Sequence, residues 1–263
     1  MYRLLVLCTA FLIQRPSWGY FLGRCPPPPR AIQRLYAGGS NSLVKHDLVL
    51  WDCDGVLVDS EALLKQGEVE ALARAGIEMS VDDCVRLFSG VSVDEAAKNF
   101  LKDKGKELPP NFFKEQIAGS MQLFRDRLIP LMTDTVLSLQ QQGYRQCVAS
   151  GSPLDRVSLC LELAGIDRCF GPSAVFTREL VKLGKPAPDL FLYAAEKMNV
   201  PSNKCIVIED SSSGIEAALA ANMKVIGYLG GGHAQASWYR AKIESYKIPL
   251  AYSKEEVLRL ITK

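Results

Sequence analysis

The chain is poor in the residues that make soft metal sites. It has only two histidines, His46 and His233, and its eight cysteines form no C-x-x-C pair and no regular spacing. A zinc centre is therefore not expected. Cys53, Cys147 and Cys205 lie in or beside apolar runs, where cysteine serves as a small hydrophobe, so reduced, buried thiols in an intracellular compartment are the expectation. The apolar stretch Leu4–Ile13 stops well short of the ~20 residues that cross a bilayer, which argues against stable membrane insertion. Beyond residue 46 there is no Lys/Arg cluster with interleaved aromatics, so nucleic acid is not an expected partner. The phosphate-binding string G-x-x-x-x-G-K-[ST] is absent as well.

Acidic residues are missing from one region only. Residues 1–46 hold Arg3, Arg15, Arg24, Arg30, Arg34 and Lys45 and no carboxylate, while the remainder carries 25 basic against 29 acidic residues, a net of −4. The tetraproline Pro26–Pro29 breaks any helix, and Gly38-Gly39-Ser40-Asn41-Ser42 reads as linker. An Arg-rich, acid-free leader of this kind fits an organelle transit peptide. Arg34-Leu35-Tyr36 before Ala37 resembles a mitochondrial presequence cleavage site, so the order of expectation is mitochondrion, plastid, then a secretory signal using Leu4–Ile13.

What remains is rich in core-forming residues. At 263 residues and 48% hydrophobic content, the chain can build one large domain or two modest ones. Strand-like apolar runs alternate with helical patterns. Asp47–Asp52, Tyr144–Ser150, Val175-Phe176, Cys205–Ile208, Lys224–Tyr228 and Leu250–Tyr252 read as strands. Glu61–Ala75 (ended by Gly76), Thr133–Gln142 (ended by Gly143), a helix capped by Ser152 and Pro153 and ended by Gly165, and Pro188–Met198 read as helices. A further helix follows a capping box expected at Ser213–Glu216. This alternation predicts a parallel, doubly wound α/β sheet. Between the first two strands, residues 80–128 are helical in pattern throughout, too long for a simple crossover and expected to form a separate lobe.

Three stretches carry candidate chemistry. In DLVLWDCDGVLVDSE, from Asp47 to Glu61, an apolar run ends in Asp52 and Asp54, with Gly55 marking a reversal. Two carboxylates at a strand's C-terminal end are costly unless neutralised, and Mg²⁺ suits such oxygen ligands, although an acidic turn gives the same letters. Ser150-Gly151-Ser152 opens a helix and offers a hydroxyl and free N–H groups to an anion, or merely a cap. Glu209 and Asp210 end another apolar strand, as ligands or as caps of the next helix. Lys185, between Gly184 and Pro186, is a cation held at a helix entrance, or a solvated lysine.

Taken together, DCDGVLVDSE, the Ser150 stretch, KPAPD at Lys185 and VIEDSSSG around Glu209-Asp210 resemble, in order, the four motifs of the haloacid dehalogenase superfamily. That resemblance spans residues 47–232. It implies a Rossmann-like core (47–59 and 129–263) with a small α-helical cap (60–128). It implies Asp52 as the nucleophile forming an aspartyl-phosphate, and Asp54 as the acid and then base for leaving group and water. It implies Mg²⁺ held by Asp52, the Asp54 backbone carbonyl and Asp210, with Glu209 as ligand or support. Ser150, Lys185 and N–H groups near Gly55 and Gly151 would bind the phosphoryl oxygens.

Asp54 and the metal ligands argue against a dehalogenase. β-Phosphoglucomutases of the superfamily use a cap His and a K-G-x-S-R segment to hold a second phosphate. The corresponding places here are Leu64, Ser89-Gly90-Val91-Ser92 and Val93, without His, Lys or Arg, which favours hydrolysis. The stretch from CVASGSP to GYLGGGHA is similar to bacterial sugar-phosphate and sugar-acid-phosphate phosphatases. The expected partner is a small phosphorylated metabolite, acted on by a monomer or weak dimer; a catalytically dead phosphate-binding protein is the non-enzymatic alternative.

Overall fold

A computed structural model describes residues 46–89, 91 and 93–263, and the leader expected over 1–46 lies outside them but for His46. Six parallel strands form one sheet in the order β3-β2-β1-β4-β5-β6. They are β1 (Leu48–Trp51), β2 (Gln146–Ser150), β3 (Val175–Thr177), β4 (Cys205–Glu209), β5 (Lys224–Tyr228) and β6 (Leu250–Ala251). The chain starts in the middle, builds outward through β2 and β3, then returns to the other side of β1. The order therefore reverses between β1 and β4, and a crevice opens at the C-terminal ends of these two strands.

Alternation along β1 explains the layering. Val49 and Trp51 point into one apolar cluster, Leu48 and Leu50 into another, and all four are fully buried. On the Val49 face pack α5 (Thr133–Gln141), α6 (Leu154–Leu163) and α10 (Lys254–Thr262) through Val136, Val157, Leu161, Val257 and Ile261. The Leu50 face is covered by α7 (Asp189–Lys197), α8 (Ser212–Ala220) and α9 (Ser237–Glu244) through Phe191, Ile215 and Ile243. Helices on both faces make the sheet doubly wound, as the alternation of patterns predicts. Trp51 is tied down by its indole N–H, which donates to Gln146 Oε1 on β2 at 2.9 Å.

Four helices separate β1 from β2: α1 (Glu61–Arg74), α2 (Val81–Phe88), α3 (Val93–Lys104) and α4 (Phe112–Arg127). They hold a third cluster built on Leu72, Leu87, Phe88, Phe100 and Phe112. A Cβ at Gly67 of α1 would stand 2.5 Å from Ser120 Oγ on α4, so glycine lets these two helices close together. Leu64 and Phe124, at the base of α1 and α4, join the core cluster instead. Among the described residues, no helix is long and apolar enough to cross a membrane, and the six described cysteines are unpaired, five of them buried.

Gly55 makes the expected reversal, its N–H donating to the Val58 carbonyl at 2.8 Å. Two local expectations need correction. The cap of α6 is Pro153, whose predecessor Ser152 turns its hydroxyl to Asp54. α8 begins earlier than the expected Ser213–Glu216 box: Ser211 is its N-cap, accepting from Gly214 N–H at 3.1 Å. In both, the serine hydroxyl also bonds a carboxylate of the crevice, Asp54 for Ser152 and Glu209 for Ser211, a partner that the local capping pattern does not record.

Candidate active site

At the crevice, β1 ends in Asp52 and β4 ends in Glu209-Asp210. One oxygen from each of these three carboxylates lies within 4.8 Å of the others, and all three residues are buried. Lys185, from the loop before α7, donates to Asp52 Oδ1 and to Glu209 Oε1, each at 2.6 Å. Glu209 Oε2 accepts from the N–H and the hydroxyl of Ser211 at 2.8 and 2.9 Å. Both of its oxygens are thus engaged, which suits a residue that supports the cluster. A Cβ at Gly214 would fall 1.7 Å from Glu209 Oε1, so the start of α8 must be glycine there to accommodate that carboxylate.

Asp210 is enclosed on the other side. Its Oδ2 lies 2.8 Å from His233 Nε2, and the His233 ring stands edge-on to Tyr239, whose hydroxyl donates to the Asp210 carbonyl at 3.2 Å. A Cβ on Gly55 would come 2.2 Å from Asp210 Oδ2, and its φ of +78° is left-handed, so both space and backbone require glycine. With its N–H already given to Val58, Gly55 contributes this close approach, not the free donor expected of it.

Asp54 stands apart from the carboxylate cluster. Ser60 Oγ donates to its Oδ1 at 2.7 Å, while Ser152 Oγ and Arg156 Nη2 (3.0 Å) both reach its Oδ2. Ser150 is buried, and its Oγ accepts from Ser152 N–H at 3.1 Å, which leaves its own proton to give. Gly151 is exposed beside it. At the start of α6, Leu154 N–H is taken by Glu179 Oε2 at 3.1 Å.

Electrostatics separate the two aspartates. Burial pushes Asp52 well above the ordinary carboxylate range; Lys185 opposes this, and the neighbouring Glu209, Asp210 and Asp54 add to it. For Asp54, burial also pushes upward, but Arg156 and the hydroxyls of Ser152 and Ser60 outweigh it and hold the carboxyl below its usual range. Asp210 is pushed by burial up to about 6 against the pull of His233. His233 is raised to about 9, its burial outweighed by the Asp210 carboxylate. Lys185 stays charged: burial disfavours the ammonium, and Asp52 with Glu209 more than restores it.

These groups line one cavity of about 490 Å³ with Asp52, Asp54, Ser150, Gly151, Lys185, Glu209 and Asp210 in its wall. From the helical lobe come Glu61, Val85, Ser89, Val91, Val93 and Asp94, and, among the described residues, no cation. Ser89, Val91 and Val93 thus face the site as the resemblance implies; Leu64 does not, being packed into the core. Every described residue singled out as a candidate therefore reaches this cavity except Gly55, which sits directly behind Asp210. Arg156, Ser152, Ser60 and His233 were not anticipated. Arg156 lies at i+4 from Ser152, a helical spacing that was a readable signal, whereas His233 follows a glycine run and had none.

The profile describing haloacid dehalogenase-like hydrolases matches residues 46–222. The protein SUPPRESSOR OF QUENCHING 1, chloroplastic, of Arabidopsis thaliana is 33% identical over 190 residues, covering 69% of this chain; the chain spans only 18% of that protein's length. A 6-phosphogluconate phosphatase of Escherichia coli is 25% identical over 187 residues, covering 71% of this chain and 84% of the enzyme. Among solved structures, a conserved haloacid dehalogenase-like protein of unknown function from Agrobacterium tumefaciens superposes with a TM-score of 0.71 at 26% identity, covering 82% of this chain and 97% of that one.

Proposed function

The chain belongs to the haloacid dehalogenase-like hydrolase family, and from that premise we propose that it is a Mg²⁺-dependent phosphatase of a small phosphorylated metabolite, a sugar phosphate or sugar-acid phosphate. The observation that carries this reading is the Asp52 carboxylate, buried in the cavity wall, bonded to Lys185 at 2.6 Å and clustered with Glu209 and Asp210. Residues 60–128 act as cap over a core of 47–59 and 129–263.

The donor set fits a hard divalent cation. Three buried carboxylates face the Lys185 ammonium and the His233 imidazole, which leaves an excess of negative charge, and oxygen donors of this kind suit Mg²⁺. Asp52 and Asp210 hold the ion, with the Asp54 backbone carbonyl, and Glu209 braces them. When bound, Mg²⁺ offsets the repulsion between the nucleophile and the phosphate.

Asp52 attacks phosphorus, forming an O–P bond as the ester oxygen leaves, and this yields an aspartyl-phosphate. Asp54 supplies the proton that the leaving oxygen takes up, then removes one from the water that hydrolyses the intermediate. Arg156 favours its ionised form, which suits the second of these roles, so the first requires the Arg156 contact to loosen as substrate enters. Lys185 and the Ser150 hydroxyl bind phosphoryl oxygens. With no cation on the lobe side of the cavity, a second phosphate has no partner there, which supports hydrolysis over phosphate transfer between sugar positions.

The test is Mg²⁺-dependent phosphate release from p-nitrophenyl phosphate, then from a panel of sugar and sugar-acid phosphates, with glucose-1-phosphate isomerisation run alongside. Release is expected and isomerisation is not; isomerisation outrunning release would reverse the assignment. Calorimetric titration of Mg²⁺ into wild type and Asp210→Asn reads the cation site directly, with binding lost in the variant. For location, the chloroplastic name of the Arabidopsis relative supports a plastid ahead of the mitochondrion. Fusing residues 1–46 to a fluorescent protein tests both.

A further inference from the structure

The machinery described above gives Arg156 one contact, with Asp54, and requires that contact to loosen as substrate enters. The residue sits on the first turn of α6, lines the cavity, and has a side chain that is only 13% exposed. Its hydrogen bonding is one-sided: both bonds leave from Nη2, to Asp54 Oδ2 at 3.0 Å and to Ser152 Oγ. The Nε–H is buried with no partner, and Nη1 makes no hydrogen bond among the described residues. A buried guanidinium with donors to spare is costly unless a ligand completes it, because an unmet buried donor forfeits its hydration. The other cations in the cavity wall are Lys185, committed to Asp52 and Glu209, His233, committed to Asp210, and Arg178, which is exposed.

Position decides what Arg156 can recognise. On the reading proposed above, on which this inference rests, Asp54 meets the ester oxygen of the leaving group. The guanidinium is 3.0 Å from one oxygen of that carboxylate, Asp54 Oδ2. Oxygens on neighbouring carbons have a similar separation, so an acceptor on the carbon next to the ester carbon is placed to take up the guanidinium as its Asp54 contact loosens. We propose that Arg156 is a substrate-binding residue that selects phosphomonoesters with a hydroxyl, carbonyl or carboxylate oxygen vicinal to the phosphorylated carbon. Sugar and sugar-acid phosphates have this feature, and simple alkyl phosphates lack it. Selection therefore comes from the core side of the cavity, from a helix that also positions Ser152, while the lobe side contributes Val85, Val91 and Val93 to contact the rest of the molecule.

The experiment compares glycerol 1-phosphate with 3-hydroxypropyl phosphate, esters of one chain length that differ only in the vicinal hydroxyl, in wild type, Arg156→Met and Arg156→Lys. Wild type is expected to prefer glycerol 1-phosphate in kcat/KM by about 10- to 100-fold, the range of a hydrogen bond to a charged group. Arg156→Met should bring that preference to within about threefold, mainly through KM, and Arg156→Lys should retain part of it. Because the readout is a ratio on one protein, partial misfolding cancels. No preference in wild type, or a preference that survives Arg156→Met, overturns this proposal alone. A wild type that hydrolyses neither ester, nor p-nitrophenyl phosphate, overturns the phosphatase reading and this inference with it.

Discussion

Among the described residues, the side chains of Lys185 and Lys65 are 8% and 6% exposed, and their surroundings differ. Lys185, in the crevice, is 2.6 Å from each of two carboxylates, with Asp210 close by and every oxygen of Glu209 engaged. Lys65, on α1 in the helical lobe, meets a single carboxylate, Glu68 Oε1, at 2.9 Å, and Glu68 Oε2 is buried without a partner. The first arrangement carries surplus negative charge and the second is balanced. A balanced buried pair contributes little net stability after desolvation, and need have no ligand. A surplus buried in a cavity wall is tolerable only where something charged is to be received, which is why the chemistry is assigned to Lys185 and not to Lys65.

The comparison is open to direct attack. The largest effect is expected from Asp52→Asn, which should lower turnover by about a thousandfold or more while circular dichroism shows an intact fold. Activity within about tenfold of wild type would remove the nucleophile assignment. Lys185→Met should cost about a hundredfold in turnover, as loss of a charge aimed at the phosphoryl group. Lys65→Met should instead lower the unfolding midpoint and keep kcat within about threefold, since the cost of an unpaired buried charge falls on folding. Equal catalytic losses in the two lysine variants would erase the distinction drawn here.

Smaller effects sharpen it. Burial, only partly opposed by Lys65, raises Glu68 from an ordinary 4.5 to about 7. The folded state thus holds the Glu68 proton more tightly than the unfolded chain does. Its stabilising contribution is complete below pH ~4.5 and is lost as pH rises towards 7, by about 3 kcal/mol at most. Urea unfolding across that window should show wild type losing stability relative to Glu68→Gln, and parallel curves would show that Glu68 is not so raised. The smallest change is at the exposed capping box of α2, where Ser80 Oγ accepts from Asp83 N–H at 3.1 Å. Ser80→Ala should cost about 1 kcal/mol of stability and leave the phosphatase reaction alone.

Much of the fold was readable because the strands are buried on both faces. Fully apolar runs such as Leu48–Trp51 and Cys205–Ile208 stand out against helical patterns, and glycines at 76, 143 and 165 marked helix ends. The helices Ser237–Glu244 and Lys254–Thr262 were not anticipated, although Ser253 does cap the latter, accepting from Glu256 N–H at 3.3 Å. In the site, the residues contributed by strand ends were legible because strand ends have one destination in a parallel sheet. Arg156 and His233 were not, since each is defined by a partner, Asp54 and Asp210, far away in sequence.

The sequence by itself determined which residues stand at the C-terminal ends of β1, β2 and β4, because apolar runs and their terminating carboxylates or serine are local features. It also determined the long helical insertion, by the length of its periodic pattern. Only the tertiary structure decided which donors those groups would meet: that Gly55 N–H closes a turn, that Ser152 leaves its cap for Asp54, and that Arg156 lines the cavity with its Nε–H unpartnered. Hydrogen-bond partners are chosen by what burial brings within about 3 Å, and no local pattern records that distance.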